Sequence, residues 1–183
     1  LTYINGPKSM RELITFCFKS NGVPGSYEFI KYKDEVLTYD ESWKQINSLG
    51  AALVRDYNIQ AGDRVAISMR NYPEWPISFL AILCIGGVVC PLNSLWKDKE
   101  MEYGLSDSGT KLLICDTERL KYAQNALKKL NIPSIIVRST GSSHTNSSNT
   151  YQNIIGLHDH EQLPSYPSNL TIDSTAAMFY TSG

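Results

Sequence analysis

The residues whose types could do chemistry stand together at the end of the chain, Tyr180-Thr181-Ser182-Gly183, behind the apolar run Ala176 to Tyr180. A strand that runs into two hydroxyls and a glycine has the parts of an anion-gripping loop. Backbone N–H groups and hydroxyl donors surround an anion only where the chain turns tightly, and glycine permits that turn. In an open parallel sheet, ligands bind outside the carboxyl ends of the strands, which is where such a segment would lie. A bare Thr-Ser-Gly also serves as an ordinary strand exit, so these residues alone leave both readings open. Neither a G-x-x-x-x-G-K nor a G-x-G-x-x-G phosphate motif occurs in the sequence.

The remaining reactive side chains say less. His158-Asp159-His160 places two imidazoles two residues apart with no third ligand cluster, and reads as a polar surface turn rather than a metal site. His144 falls in a serine-rich stretch. Cys17, Cys84, Cys90 and Cys115 are scattered through apolar segments with no C-x-x-C pair. They are expected to be small buried hydrophobes in a reducing compartment. There is no G-x-S-x-G and no spaced pair of carboxylates.

The elements that must position these residues are legible from spacing. Ser9-x-x-Glu12, Thr38-x-x-Glu41 and Asn71-x-x-Glu74 each have the cap-plus-acid pattern of a helix start. The second opens a helix carrying Trp43, Ile46, Leu49 and Leu53 on one stripe, and a fourth helix is expected from Thr117 to Leu130. Between them lie apolar runs without alternation: Val65 to Met69, Val88 to Leu92, Leu112 to Cys115, Ile135 to Val137 and Ala176 to Tyr180. Strands buried on both faces look like this, so the alternation from Arg64 onward predicts an α/β fold. Its core would be a doubly wound, mainly parallel sheet with helices on both faces. Tyr27 to Tyr39 reads as a separate hairpin, and residues 139–150 as a flexible Ser/Thr/Asn-rich insertion before a short helix near Tyr151.

Composition excludes some partners. Lys plus Arg (17) nearly balances Asp plus Glu (18), which leaves no basic footprint for nucleic acid. Trp75 to Leu92 is apolar over about 18 residues, near the minimum for a membrane span. Gly86-Gly87 and Pro91 interrupt it, so a helix followed by a buried strand is expected instead.

The order of motifs resembles the amino-terminal part of the adenylate-forming superfamily: acyl- and aryl-CoA synthetases, luciferases and peptide-synthetase adenylation domains. Val36-Leu37-Thr38-Tyr39-Asp40-Glu41 is similar to that family's L-T-Y-x-E/D-L segment, and Ala61-Gly62-Asp63-Arg64-Val65-Ala66-Ile67 to P-G-D-R-V-A-I. Asn71-Tyr72-Pro73-Glu74-Trp75 is similar to N-x-P-E-W/F, Gly86-Gly87 through Pro91-Leu92-Asn93 to G-A-x-x-x-P-L/I-N/D, and Asp107-Ser108-Gly109-Thr110-Lys111 to D-S-G-A-K. The last segment, through Tyr180-Thr181-Ser182-Gly183, is similar to the opening of the phosphate loop Y-T-S-G-T-T-G-x-P-K-G. The resemblance spans residues 9–183.

The resemblance implies part of the large N-terminal domain of an acyl-CoA synthetase, with Thr181, Ser182 and Gly183 binding ATP phosphates and no catalytic residue within the chain. It implies a carboxylic acid, ATP and CoA as partners with Mg²⁺ as cofactor, and acyl-adenylate formation followed by thioester formation. By this resemblance the rest of the loop, the adenine pocket and the catalytic lysine lie beyond Gly183, so the 183 residues alone should be inactive. Asn93 leans toward CoA ligases over peptide-synthetase domains. The expected location is intracellular, cytoplasmic or peroxisomal, with membrane association open. The competing expectation is a truncated or scaffold domain that keeps the fold and binds nothing.

Overall fold

The computed structural model describes residues 6–139 and 149–181. In chain order the elements are α1 (Met10–Lys19), β1 (Glu28–Tyr32), β2 (Glu35–Thr38), α2 (Tyr39–Arg55), β3 (Arg64–Ser68) and α3 (Glu74–Cys84). They continue with β4 (Val88–Pro91), α4 (Asp98–Asp107), β5 (Leu112–Asp116), α5 (Thr117–Leu130), β6 (Ser134–Val137) and α6 (Tyr151–Leu157). Strands β4-β3-β5-β6 form one sheet in that order, and every neighbouring pair is parallel.

The absence of alternation in the strands follows from cover on both faces. Val65, Ile67, Leu112, Ile114, Ile135 and Val137 point into one apolar cluster with Ile46, Leu49 and Leu53 of α2 and Ile77, Ala81 and Ile82 of α3. Their neighbours Ala66, Cys90, Leu113 and Cys115 point into a second cluster with Met101 and Leu105 of α4 and Ala123, Ala126 and Leu127 of α5. Either face exposed to water would require polar residues at alternate positions. The sheet is therefore doubly wound, as expected.

Two of the three cap patterns form as read. Ser9 accepts from the Glu12 N–H, and Thr38 with Glu41 makes a reciprocal capping box. The third does not: the helix begins after Pro73, with no side-chain cap. Glu74 is instead buried, with Oε1 2.8 Å from Arg138 Nε. Proline lacks the N–H that a cap would satisfy and already sits at a helical φ of −52°.

The apolar run from Trp75 is divided as predicted. Helix α3 ends at Cys84, Gly86 turns the chain at φ +80°, and β4 begins at Val88. Among the described residues no helix is long and apolar enough to cross a membrane. Strands β1 and β2 form the expected antiparallel hairpin, whose Phe29 packs on Phe18 and Tyr39.

Three expectations change. Helix α4, which the sequence reading passes over, covers the sheet with Met101 and Leu105 alone fully buried among its large side chains. Cys17 is exposed, although the other three cysteines are buried as expected and all four are free. Residues 158–160 form the expected turn with His160 exposed, but the His158 side chain does not lie at the surface. It is buried, and Nε2 lies 2.8 Å from Asp56 Oδ2 at the end of α2. Of the insertion, residues 140–148 lie outside the described residues, while Asn149 and Thr150 dock on β6, where the Ile136 N–H donates to the Asn149 carbonyl.

Candidate functional site

The connections reverse direction between β3 and β5: β3 leads through α3 to β4 on one side, and β5 leads through α5 to β6 on the other. The carboxyl ends of β3 and β5 are therefore where a crevice opens in such a sheet. Here the chain fills that crevice itself. Asp116, the last residue of β5, accepts from the backbone N–H groups of Arg70 and Arg119 through its two carboxylate oxygens, at 3.0 and 2.9 Å. The Arg119 guanidinium lies 3.3 Å from the same carboxylate and 2.6 Å from Glu118, and its Nε donates to the Ser94 carbonyl at 2.8 Å. Asp116 is 3% exposed and Arg119 2%. No anion can displace so well-satisfied a pair, and the Asp116 carboxylate would repel one.

The free carboxyl end is at the sheet edge. Residues 176–178 lie beside β4 in parallel, with the Val89 N–H donating to the Ala176 carbonyl at 3.0 Å and the Met178 N–H donating to the Val89 carbonyl at 2.8 Å. The predicted strand Ala176 to Tyr180 shrinks to this one bridge. Val88 and Leu92 donate inward to the β3 side, so Val89 and then Pro91 face the edge. Pro91 has no N–H to give, and the ladder stops there.

Beyond the bridge the backbone is held by a side chain. The Tyr180 hydroxyl donates to Asp107 Oδ2 at 2.7 Å and lies 3.4 Å from the Gly104 carbonyl, and its ring meets Trp96 and Tyr103 edge-on. Burial, then the hydrogen bond and charge of Asp107, raise the Tyr180 pKa above its ordinary value, so it stays a proton donor at neutral pH. Asp107 ends α4, and that helix end is pinned. Arg64 Nε donates to the Ser108 carbonyl at 2.8 Å, and Nη2 to the Gly109 carbonyl at 3.2 Å. Arg64 thus pairs with carbonyl oxygens at a helix C-terminus, where a cation is favoured. Gly109, at φ +61°, lets the guanidinium come so close that a Cβ would sit 2.6 Å from it.

Of the predicted site residues, Thr181 is exposed at the carboxyl end of this edge segment. Ser182 and Gly183 lie outside the described residues. The sequence reading missed Asp107, Trp96 and Tyr103 as partners of Tyr180. No local pattern reveals a hydrogen bond between residues 73 apart in sequence. Among the described residues no group of three or more His, Cys, Asp or Glu side chains comes together to hold a metal. The three buried cysteines offer no nucleophile either: burial raises the pKa of Cys84, Cys90 and Cys115, Cys84 up to about 12. An apolar cavity of about 400 Å³ between Met10, Leu13, Gly86 and Ile172 lies at the amino end of β4, away from Thr181.

A parallel sheet wound with helices on both faces defines the class as a doubly wound α/β domain. The family comparison is more specific. The model for AMP-binding enzymes matches residues 18–183, and the chain belongs to that family. A long-chain-fatty-acid–CoA ligase of Salmonella typhimurium is 25% identical over 132 residues, 72% of this chain and 24% of the relative. An oxalate–CoA ligase of Arabidopsis thaliana is 38% identical over 96 residues, 52% of this chain and 19% of the relative. The solved structure of an anthranilate CoA ligase in complex with anthranoyl-AMP shares the fold at a TM-score of 0.80 and 18% identity, covering 97% of this chain and 33% of that one. The matched part of the chain thus spans about a fifth to a third of the length of these ligases.

Proposed function

We propose that the chain supplies the sheet and the first phosphate-binding residues of an ATP-dependent acid–thiol ligase. The carrying observation is the family match, which runs to the end of the chain through Thr181, Ser182 and Gly183. In the proposed reaction a carboxylate oxygen attacks the α-phosphorus of ATP, and the bond to pyrophosphate breaks. The sulfur of CoA then attacks the acyl carbonyl, and AMP leaves.

Both partners of the first step are anions, so the protein must supply donors that hold them together. The proposed part of Thr181, Ser182 and Gly183 is to donate hydroxyl and backbone N–H groups to the phosphates. The exposure of Thr181 at the carboxyl end of an edge segment, with no acidic partner hydrogen-bonded to it among the described residues, supports that assignment. Mg²⁺ belongs to the proposal as the usual counter-ion of a triphosphate. The described residues offer no cluster to bind it, so no step is assigned to them through it. The acid is proposed only as a carboxylic acid, because the relatives named above act on acids as unlike as long-chain fatty acids and oxalate. An intracellular, reducing compartment is proposed as well, supported by four free thiols of which three are buried.

The test uses the complete polypeptide that carries this chain. ATP–pyrophosphate exchange is followed with a long-chain fatty acid, oxalate and anthranilate offered in turn, alongside MgATP affinity by titration calorimetry. Exchange with at least one acid is expected. Thr181→Ala and Ser182→Ala should each weaken ATP binding by roughly tenfold, the scale of one lost charge-assisted hydrogen bond. A folded polypeptide that binds no ATP and exchanges with none of the acids would establish the scaffold reading instead.

A further inference from the structure

We propose that Tyr180 is a positioning residue for Thr181, and that its hydroxyl bond to Asp107 sets the affinity of the sheet-edge site for a nucleoside triphosphate. This rests on reading Thr181 to Gly183 as the phosphate-binding segment.

The argument starts from what fails to hold the backbone there. The parallel ladder ends after Met178 because Pro91 cannot donate. Among the described residues, 179–181 make no backbone hydrogen bond to the sheet. Phe179 is 65% exposed and anchors nothing. The side chain of Tyr180 is left as the tether, through the 2.7 Å bond to Asp107 and its contacts with Trp96 and Tyr103.

The far end of the tether is rigid. Ser108, next to Asp107, is buried, and its hydroxyl lies 2.6 Å from the Gly104 carbonyl and 2.7 Å from the Thr110 hydroxyl. Arg64 binds the carbonyls of Ser108 and Gly109. Two segments far apart in sequence, the end of α4 at Asp107 and the edge segment at Tyr180, thus meet at one hydrogen bond. Its consequence for binding is entropic. Phosphate donors must be aligned before the ligand arrives, and a segment free to wander must be ordered at the expense of affinity.

The experiment measures MgATP affinity and thermal midpoint in the complete polypeptide for Tyr180→Phe, Asp107→Ala, their combination and Asp107→Asn. Tyr180→Phe keeps the ring between Trp96 and Tyr103 and removes only the donor. It should weaken MgATP binding by about fivefold to tenfold, with little change in thermal midpoint. Asp107→Ala should match it, and the double variant should be no worse than either single one. Asp107→Asn retains an acceptor oxygen and should stay within about twofold of the parent.

Unchanged affinity in Tyr180→Phe overturns the proposal, and so do additive losses in the double variant. A fall in thermal midpoint that accounts for the whole loss of affinity also overturns it, by assigning Tyr180 a purely structural role. The underlying reading fails separately. If Thr181→Ala and Ser182→Ala leave MgATP affinity unchanged, the phosphate segment lies elsewhere. If they weaken it while Tyr180→Phe does not, only the positioning role is lost.

Discussion

Two carboxyl-end regions of the same sheet have been put to opposite uses. At the centre, between β3 and β5, Asp116 and Arg119 are buried, fully paired and closed to any ligand. At the edge beside β4, one bridge and one tyrosine hold a segment whose next residue is exposed. The general rule places a ligand at the reversal of strand order. Here that position is spent on joining α5, the end of β3 and the loop after β4 into one block. The proposed site one strand further out has instead an exposed residue, Thr181, at its start. The difference lies in satisfaction of polar groups more than in topology.

The sharpest way to break the comparison is to open the centre. Arg119→Ala leaves the Asp116 carboxylate buried with only two backbone donors, and removes the guanidinium from the Ser94 carbonyl. Breaking one partner of a buried pair costs on the order of 3–5 kcal/mol, and chemical denaturation of the variant should show a loss near the lower figure. A loss below about 1 kcal/mol would mean that the central block is not held by this pair. By contrast Tyr180→Phe, at the edge, should leave the denaturation midpoint close to that of the parent while changing nucleotide affinity.

A smaller effect is expected where β4 begins. Gly86 has φ +80°, and a Cβ there would lie 2.2 Å from Leu170 Cδ1. Leu170 can turn aside, but the backbone conformation remains unfavourable for alanine. Gly86→Ala should therefore cost about 1–3 kcal/mol. The segment 163–176 carries Leu170 on its way to the edge bridge, so the same variant should weaken MgATP binding if that segment guides Thr181. Loss of stability with unaltered nucleotide affinity would show that the edge is set by Tyr180 alone.

How much of this was legible in the sequence differs between the two regions. The strands of the centre are visible because burial on both faces forces unbroken apolar runs such as Leu112 to Cys115, and α5 is visible over Thr117 to Leu130 because its stripe repeats every three or four residues. Helix α4 is not: Met101 and Leu105 are its only large fully buried side chains, too few to mark a period. The turn at 158–160 is legible, but the burial of the His158 side chain is not, because its partner Asp56 is 102 residues away. The same distance argument hides the Tyr180–Asp107 bond. Short-range chemistry such as caps and glycine turns is written locally, whereas pairing across the fold appears only once the helices are placed. Even a local pattern can mislead, as Asn71-x-x-Glu74 does where Pro73 takes the cap position.

The smallest predicted effect lies away from both regions and calibrates them. The capping box at the start of α2 has Glu41 Oε2 accepting from the Thr38 N–H at 2.8 Å and from the Thr38 hydroxyl at 2.8 Å. The backbone bond first, then the hydroxyl, lowers the Glu41 pKa below its ordinary value against a slight opposing effect of burial. A carboxylate whose pKa is lower in the folded state than in the unfolded chain stabilises the fold above the unfolded value, near 4.5. That contribution is lost as the pH falls through the folded value, because the native state then takes up the proton that the unfolded chain already holds. Glu41→Gln removes the titration. The stability difference between the parent and this variant should be constant near neutral pH and shrink as the pH drops below roughly 4.5, with a total under about 1 kcal/mol because the group is exposed. Denaturation midpoints measured from pH 7 to 3 decide it: a difference that does not narrow on acidification would mean that the box adds no charge-dependent stability, and that helix α2 is held by packing of Ile46, Leu49 and Leu53 alone.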